Sequence, residues 1–230
     1  MKNIAVVLAA GAGHRFGGDL PKQFCLLEDR MVIEHSIGLF ERSVGIDEVV
    51  VVVHPDYMDM MKAVVARRGW QKVRRFVAGG AERYQSSLNA IGALSDCDDE
   101  GCNVVLHDAA RPWLDEPVLE RVLHALADSE AVAVGVPCTD TVWHCSAAPR
   151  PLIESIPPRS LMWNAQTPQA FRLALLRRAY DLACRDASFR PTDDCGVILR
   201  YCPEAPIRVV EGSPRNRKIT FADDLPSFPS

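Results

Sequence analysis

Short unbroken apolar runs alternate along this chain with amphipathic stretches of helical period, and that alternation limits the fold more than any other feature. The run EVVVVV at 48–53, closed by His54-Pro55, is the clearest case. A β-branched run of that length, with no polar residue on alternate positions, suits a strand buried on both faces. Comparable runs at 4–8, 73–78, 103–106, 131–136 and 207–210 read as further strands. The stretches 31–42, 57–68, 83–94, 116–127 and 171–183 carry helical spacing. Strands that alternate with helices specify βαβ units, a mainly parallel twisted sheet and helices on both of its faces. The 230 residues fit one such α/β domain, residues 1–230, with no linker or repeat to divide it.

One stretch breaks the rhythm. Residues 138–159 are rich in Thr, Ser and Pro (Pro149, Pro151, Pro157, Pro158) and have no helical period. That is long for an idle loop, so the segment is either unfolded or an arm that packs on something else.

Charge and composition remove several classes. A net charge of −4 gives no field that would draw in nucleic acid or an anionic membrane. Any anion site must be local, built from a few placed Lys and Arg. No apolar stretch approaches the roughly 20 residues of a membrane span. The apolar run at 4–10 passes into a Gly-rich turn rather than a cleavage site, so a cytoplasmic location is expected. The eight cysteines show no C-x-x-C spacing and no accompanying His cluster, which argues against zinc and for reduced thiols.

In an open α/β sheet, ligands bind beyond the carboxyl ends of the strands. After the first strand comes Gly11-Ala12-Gly13-His14-Arg15-Phe16-Gly17-Gly18, then Pro21-Lys22. Glycines let backbone N–H groups approach a phosphate, while Arg15 and Lys22 supply the positive charge a phosphoryl or nucleotidyl transfer needs. No G-K-[ST] closes the loop, and Phe16 interrupts a G-x-G-x-x-G, so neither a Walker A loop nor a dinucleotide fingerprint is present. After the fourth strand, His107-Asp108-Ala109-Ala110-Arg111 offers a carboxylate for Mg²⁺ and an arginine for a phosphate; a helix-capping Asp beside an exposed Arg is the plainer reading. His107 reads as structural. The turn Gly79-Gly80-Ala81-Glu82-Arg83 suits backbone recognition of a nucleobase edge, or else a capped and solvated first helical turn. The basic stretch at 215–218 reads as a phosphate site or as a solvated loop.

Seven blocks together carry a family resemblance: LAAGAGHRFGGDLPKQF, GGAERYQSSLNAI, HDAARPWL, VPCTDTVW, RSLMWNAQTPQAF, TDD and VVEGSPRNRKIT, in order over residues 8–220. The chain resembles the 2-C-methyl-D-erythritol 4-phosphate cytidylyltransferases, within a wider group that includes ribitol-5-phosphate cytidylyltransferases. The resemblance implies a single Rossmann-like nucleotidyltransferase domain whose residues 138–160 form a projecting β-arm that interlocks a homodimer. It implies CTP and a polyol phosphate as substrates, and Mg²⁺ held at Asp108. Catalytic roles fall to Arg15, Lys22, Arg159 and Lys218. The nucleotide would be held by Leu8, Ala9, Ala10, Gly11, Ala12, Gly13, Gly80, Ala81, Ser86 and Asp108. The acceptor would be held by Asp108, Arg111, Thr141, Arg159, Thr167, Thr192 and Lys218, with Thr141, Arg159 and Thr167 reaching across from the partner subunit.

Departures from the family pattern are Ala81, where many members carry an acidic residue, and Arg217 in place of an aliphatic residue. TDDCG and ERYQSS resemble the ribitol branch; HDAARP and Trp163 favour methylerythritol phosphate as acceptor. An NAD-dependent oxidoreductase is opposed by the broken glycine pattern. A non-catalytic homologue is opposed by the intact set Arg15, Lys22, Asp108 and Lys218. Use of another nucleotide in place of CTP stays open.

Overall fold

The EVVVVV run becomes the strand Glu48–Val53, every residue of it buried, and the rest of the sheet is built outward from it. The computed structural model describes residues 1–11, 16, 20–147, 149–188 and 190–225. Along the chain run β1 (Lys2–Ala9), the short pair β2 (Leu26–Leu27) and β3 (Arg30–Met31), α1 (Val32–Arg42), β4 (Glu48–Val53), α2 (Met58–Arg68), β5 (Val73–Ala78) and α3 (Arg83–Gly92). There follow β6 (Cys102–Asp108), α4 (Glu116–Ala125), β7 (Ala131–Pro137), β8 (His144–Cys145), β9 (Ile153–Ser155), β10 (Trp163–Arg172), α5 (Leu173–Ala183), α6 (Asp194–Tyr201) and β11 (Ile207–Glu211).

Seven strands form the main sheet in the order β11-β7-β10-β6-β1-β4-β5. All neighbours are parallel except β10, which runs antiparallel to both β6 and β7. Successive strand residues point to opposite faces, and the core divides accordingly. Ala5, Val7, Val49 and Val51 pack against α1, α2 and α4 through Ile33, Ile37, Phe40, Met61 and Leu119. Ile4, Val6, Val50 and Val52 pack against α3, α5 and α6 through Ile91, Leu176, Ala179, Val197 and Ile198. This is the doubly covered, mainly parallel α/β sheet that the sequence alternation specifies.

Three expectations change. Asp108 and His107 do not follow the fourth strand; that strand extends through them, and Asp108 is its last residue. Asp108 therefore caps no helix. β10 was missed, because its polar QTPQ centre and Pro168 disguise a buried strand whose register shifts between Gln166 and Gln169. α6 was missed because it is only eight residues long and opens on polar residues; Asp193 caps it by accepting the Gly196 N–H at 2.8 Å. Residues 138–160 contain their own two-stranded antiparallel ladder, β8 with β9, outside the main sheet. Trp143, Leu152, Ile153 and Ile156 in that segment are all exposed.

Candidate functional site

β1, β4, β5 and β6 are parallel, so their carboxyl ends and the segments that follow them gather at one edge of the sheet. A cleft of about 300 Å³ opens there. Its walls are Leu8–Gly11 at the end of β1 and 80–83 at the start of α3; Asp108–Ala110 forms the floor, and Lys22, Lys218 and Thr220 complete the rim.

Two glycines shape the wall. A Cβ at Gly79 would overlap that of Ala10, so only glycine lets this turn approach the end of β1; one at Gly80 would overlap that of Gln85, in the helix that the same turn leads into. Ser86 holds the turn closed by accepting the Gly80 N–H at 3.1 Å. Opposite, the buried Gln23 donates from Nε2 to the carbonyls of Ala9 (2.7 Å) and Gly11 (3.0 Å), fixing the backbone of the β1 loop.

Asp108 is the centre of charge. Its Oδ1 accepts from Arg83 Nε at 3.0 Å and its Oδ2 from Lys218 Nζ at 2.6 Å. Burial alone would raise its pKa, but the charges and hydrogen bonds of Arg83 and Lys218 prevail and hold the carboxyl well below the usual range. Its backbone is fixed as well. Asp108 N–H donates to Thr167 Oγ1 at 3.1 Å, and that hydroxyl lies 3.0 Å from His107 Nδ1. His107 Nε2 is 3.1 Å from the Arg111 carbonyl, which can only accept, so Nε2 carries the proton and Thr167 donates to Nδ1. Complete burial of His107 pushes its pKa down to about 4 and keeps the ring neutral, in line with a structural role.

The C-terminal segment carries Lys218 into place. Arg111 donates from Nη1 to the Asn216 carbonyl (2.8 Å) and from Nη2 to the Ala165 carbonyl (3.2 Å). Asn216 donates to the Thr167 carbonyl at 2.8 Å, and Lys22 Nζ donates to the Ile219 carbonyl at 2.6 Å. Both lysines thus bear on one segment at the mouth of the cleft.

Of the residues singled out from sequence, Leu8, Ala9, Ala10, Gly11, Lys22, Gly80, Ala81, Ser86, Asp108 and Lys218 all line this cleft. Ala12, Gly13 and Arg15 lie outside the described residues. The Thr167 side chain is buried and hydrogen bonded to Asp108 N–H and His107, so within its own chain it braces the floor of the cleft. Arg111 also braces the Lys218 segment, with two of its nitrogens donating to backbone carbonyls. Thr192 and Thr141 are exposed and outside the cleft lining, as is Arg159, whose Nη1 donates to the Thr139 carbonyl at 3.0 Å.

Sequence reasoning missed Arg83, Gln23, Gln169 and Asp194. Arg83 bridges Asp108 and the fully buried Asp194, with 2.6 Å from Nη1 to Asp194 Oδ2. Gln169 accepts the N–H groups of Asp194 (3.0 Å) and Cys195 (3.1 Å), seating α6 on β10.

Asp108 leaves limited room for a divalent cation. A carboxylate offers roughly four lone-pair sites, and Arg83 and Lys218 use two at Asp108. Among the described residues no cluster of three or more His, Cys, Asp or Glu could enclose a metal by itself. Such a site fits Mg²⁺ that arrives on a polyphosphate, keeps several waters and takes one carboxylate. Also among the described residues, no helix is long and apolar enough to cross a membrane.

Comparison with known proteins finds relatives along nearly the whole chain. The family model described as IspD, 2-C-methyl-D-erythritol 4-phosphate cytidylyltransferase, matches residues 3–228. The enzyme of that name from Thermobifida fusca is 41% identical over 96% of this chain and 89% of its own length. The bifunctional ribulose 5-phosphate reductase/CDP-ribitol pyrophosphorylase of Haemophilus influenzae is 35% identical over 97% of this chain and 47% of its own length. Among solved structures, the 4-diphosphocytidyl-2C-methyl-D-erythritol synthase of Anaerococcus prevotii superposes with a TM-score of 0.85 at 27% identity, covering 97% of this chain and 92% of the other.

Proposed function

The chain belongs to the 2-C-methyl-D-erythritol 4-phosphate cytidylyltransferase family, and on that premise we propose how its residues divide the reaction. The reaction transfers CMP from CTP to 2-C-methyl-D-erythritol 4-phosphate, releasing pyrophosphate. The observation that carries the division of roles is the cleft at the strand ends, which the end of β1 and the Gly79-Gly80 turn line together with Asp108, Lys22 and Lys218.

The triphosphate lies along the β1 loop, with backbone N–H groups of 8–13 around it and Arg15 and Lys22 against its charge. The cytosine sits at Gly80, Ala81 and Ser86. The acceptor phosphate lies near Lys218 and Asp108, with Thr192 beside it. A phosphate monoester is already anionic near neutral pH, so its oxygen attacks the α-phosphorus in line without a side-chain base. Catalysis is then positioning and charge neutralisation, which the cations around Asp108 supply. Asp108 would hold Mg²⁺ brought in by the phosphates, and the ion would add to the neutralisation of the polyanion.

Residues 138–160 serve as a dimerisation arm. Trp143, Leu152, Ile153 and Ile156 are exposed there together, a concentration of apolar surface that a second copy would cover. Thr141 and Arg159 then act in the partner's cleft, and the working enzyme is a cytoplasmic homodimer. Deleting 139–157 is expected to halve the mass in solution and abolish turnover; an active monomer would refute the arm.

The test of function is pyrophosphate release from CTP, with 2-C-methyl-D-erythritol 4-phosphate and D-ribitol 5-phosphate run in parallel, with Mg²⁺ and with a chelator. Release with the first acceptor alone, lost on chelation, is expected. Release with D-ribitol 5-phosphate alone would transfer the chain to the CDP-ribitol branch, the reading the H. influenzae relative favours.

A further inference from the structure

Arg83 is the first residue of α3 and directly follows the Gly79–Glu82 turn that walls the cleft. Its guanidinium is three-quarters buried and spans two carboxylates, with Nε to Asp108 Oδ1 at 3.0 Å and Nη1 to Asp194 Oδ2 at 2.6 Å. Asp194 is itself held rigidly. Its Oδ1 accepts from Tyr180 Oη at 2.6 Å, its N–H donates to Gln169 Oε1 at 3.0 Å, and it is wholly buried. It also lies two residues after Thr192, on the segment expected to meet the acceptor. One planar group therefore ties three parts of the site together: the wall expected to read the base, the carboxylate at the floor, and the acceptor segment. Lys218 holds only the second oxygen of Asp108 and reaches it on a flexible stem that is more than a third exposed. Without Arg83, nothing in α3 or α6 would stop that carboxylate turning about its own axis.

We propose that Arg83, braced by Asp194 and Tyr180, is a positioning residue for CMP transfer that sets the orientation of the Asp108 carboxylate and its registry with the acceptor segment. This rests on the functional reading above. Arg83 does this by geometry as well as by charge. A guanidinium offers donors in a fixed plane and bonds two carboxylates at once, whereas an ammonium is a point charge on a flexible stem. A displacement of about 1 Å at a reacting centre can cost 10²-fold in rate, so the effect belongs in kcat.

The experiment is steady-state pyrophosphate release with the intact chain, alongside thermal unfolding, for wild type, Arg83→Lys and the paired variant Arg83→Gln/Asp194→Asn. Arg83→Lys keeps the charge; the paired variant removes both charges together, so no buried ion is left unpartnered. The inference predicts that each folded variant loses on the order of 10²-fold in kcat while KM for CTP and for the acceptor stays within about threefold. If Arg83→Lys fails to fold, the paired variant decides. Wild-type kcat in either folded variant would overturn the inference, because a purely structural pair is met by the retained charges in the first and by a neutral, hydrogen-bonding pair in the second. So would a rise confined to KM, which would make Arg83 a binding group. A wild type that releases no pyrophosphate with either acceptor would sink the functional reading and this inference with it, whereas an active wild type with an active variant sinks the inference alone.

Discussion

Two chains of alternating charge sit at opposite ends of the same sheet. At the amino end runs Lys2–Glu48–Arg75–Asp96, with Glu48 accepting from Lys2 Nζ and from Arg75 Nε, both at 2.6 Å. At the carboxyl end runs Lys218–Asp108–Arg83–Asp194. In each, a nearly buried carboxylate on a strand is held between a lysine and an arginine, and the arginine goes on to a second acid. In both, burial pushes the carboxyl pKa up and the neighbouring cations bring it below its usual value. The difference is in what surrounds them. Asp96 is largely exposed and ends its chain in solvent, whereas Asp194 is wholly buried and continues to Tyr180. Asp108 also faces a cleft walled by glycine turns, and Glu48 does not line it. The same electrostatic device closes the sheet at one end and prepares a reaction at the other. Charge pairing does not mark a site; position at the strand carboxyl ends does.

Substitutions at the two ends should have different consequences. The largest effect is expected at the rim. Lys22→Ala should lower turnover by 10² or more, equivalent to about 3–4 kcal/mol of barrier for one lost electrostatic stabiliser, while CTP still binds. Calorimetric titration of CTP beside a turnover assay checks this, and wild-type turnover would remove Lys22 from the mechanism. At the other end, Glu48→Gln should leave turnover per folded molecule unchanged and cost about 2 kcal/mol of stability. That is less than a fully buried pair, because Lys2 and Arg75 are partly exposed and can rehydrate. Denaturant unfolding measures it; a loss of turnover would erase the distinction between the two ends. The smallest effect is a dependence on pH. Because the folded pKa of Glu48 is depressed, its stabilisation is fully present above the unfolded value of about 4.3 and is lost as pH falls through the folded value. The stability gap between wild type and Glu48→Gln should therefore be widest at neutral pH and narrow below about pH 4. A gap that widens in acid would reverse the assignment.

The two ends also differ in how far they could be read in the sequence. The parallel strands were legible because each is a local apolar run, as in Glu48–Val53, and the glycine turns and Lys22 were legible because their chemistry lies in adjacent residues. β10 was not, since its burial comes from pairing with β6 and β7 rather than from its own polar QTPQ centre. Arg83 looked like a solvated helix start because its partners lie 25 and 111 residues away. The motif drew Thr167 and Arg111 to the neighbourhood of the site, but not the contacts by which they brace it. A motif fixes which side chains are near one another but not which hydrogen bonds they have already spent, and both residues are committed to holding Asp108 and the Lys218 segment.

The most direct test of the account is the single-turnover rate of CMP transfer in Asp108→Asn, set beside the same rate in Glu48→Gln, each normalised to the folded fraction. The account predicts a fall on the order of 10²-fold or more for Asp108→Asn and no change for Glu48→Gln. Equal losses in both, or none in Asp108→Asn, would contradict the claim that the chemistry belongs to the carboxyl end of the sheet.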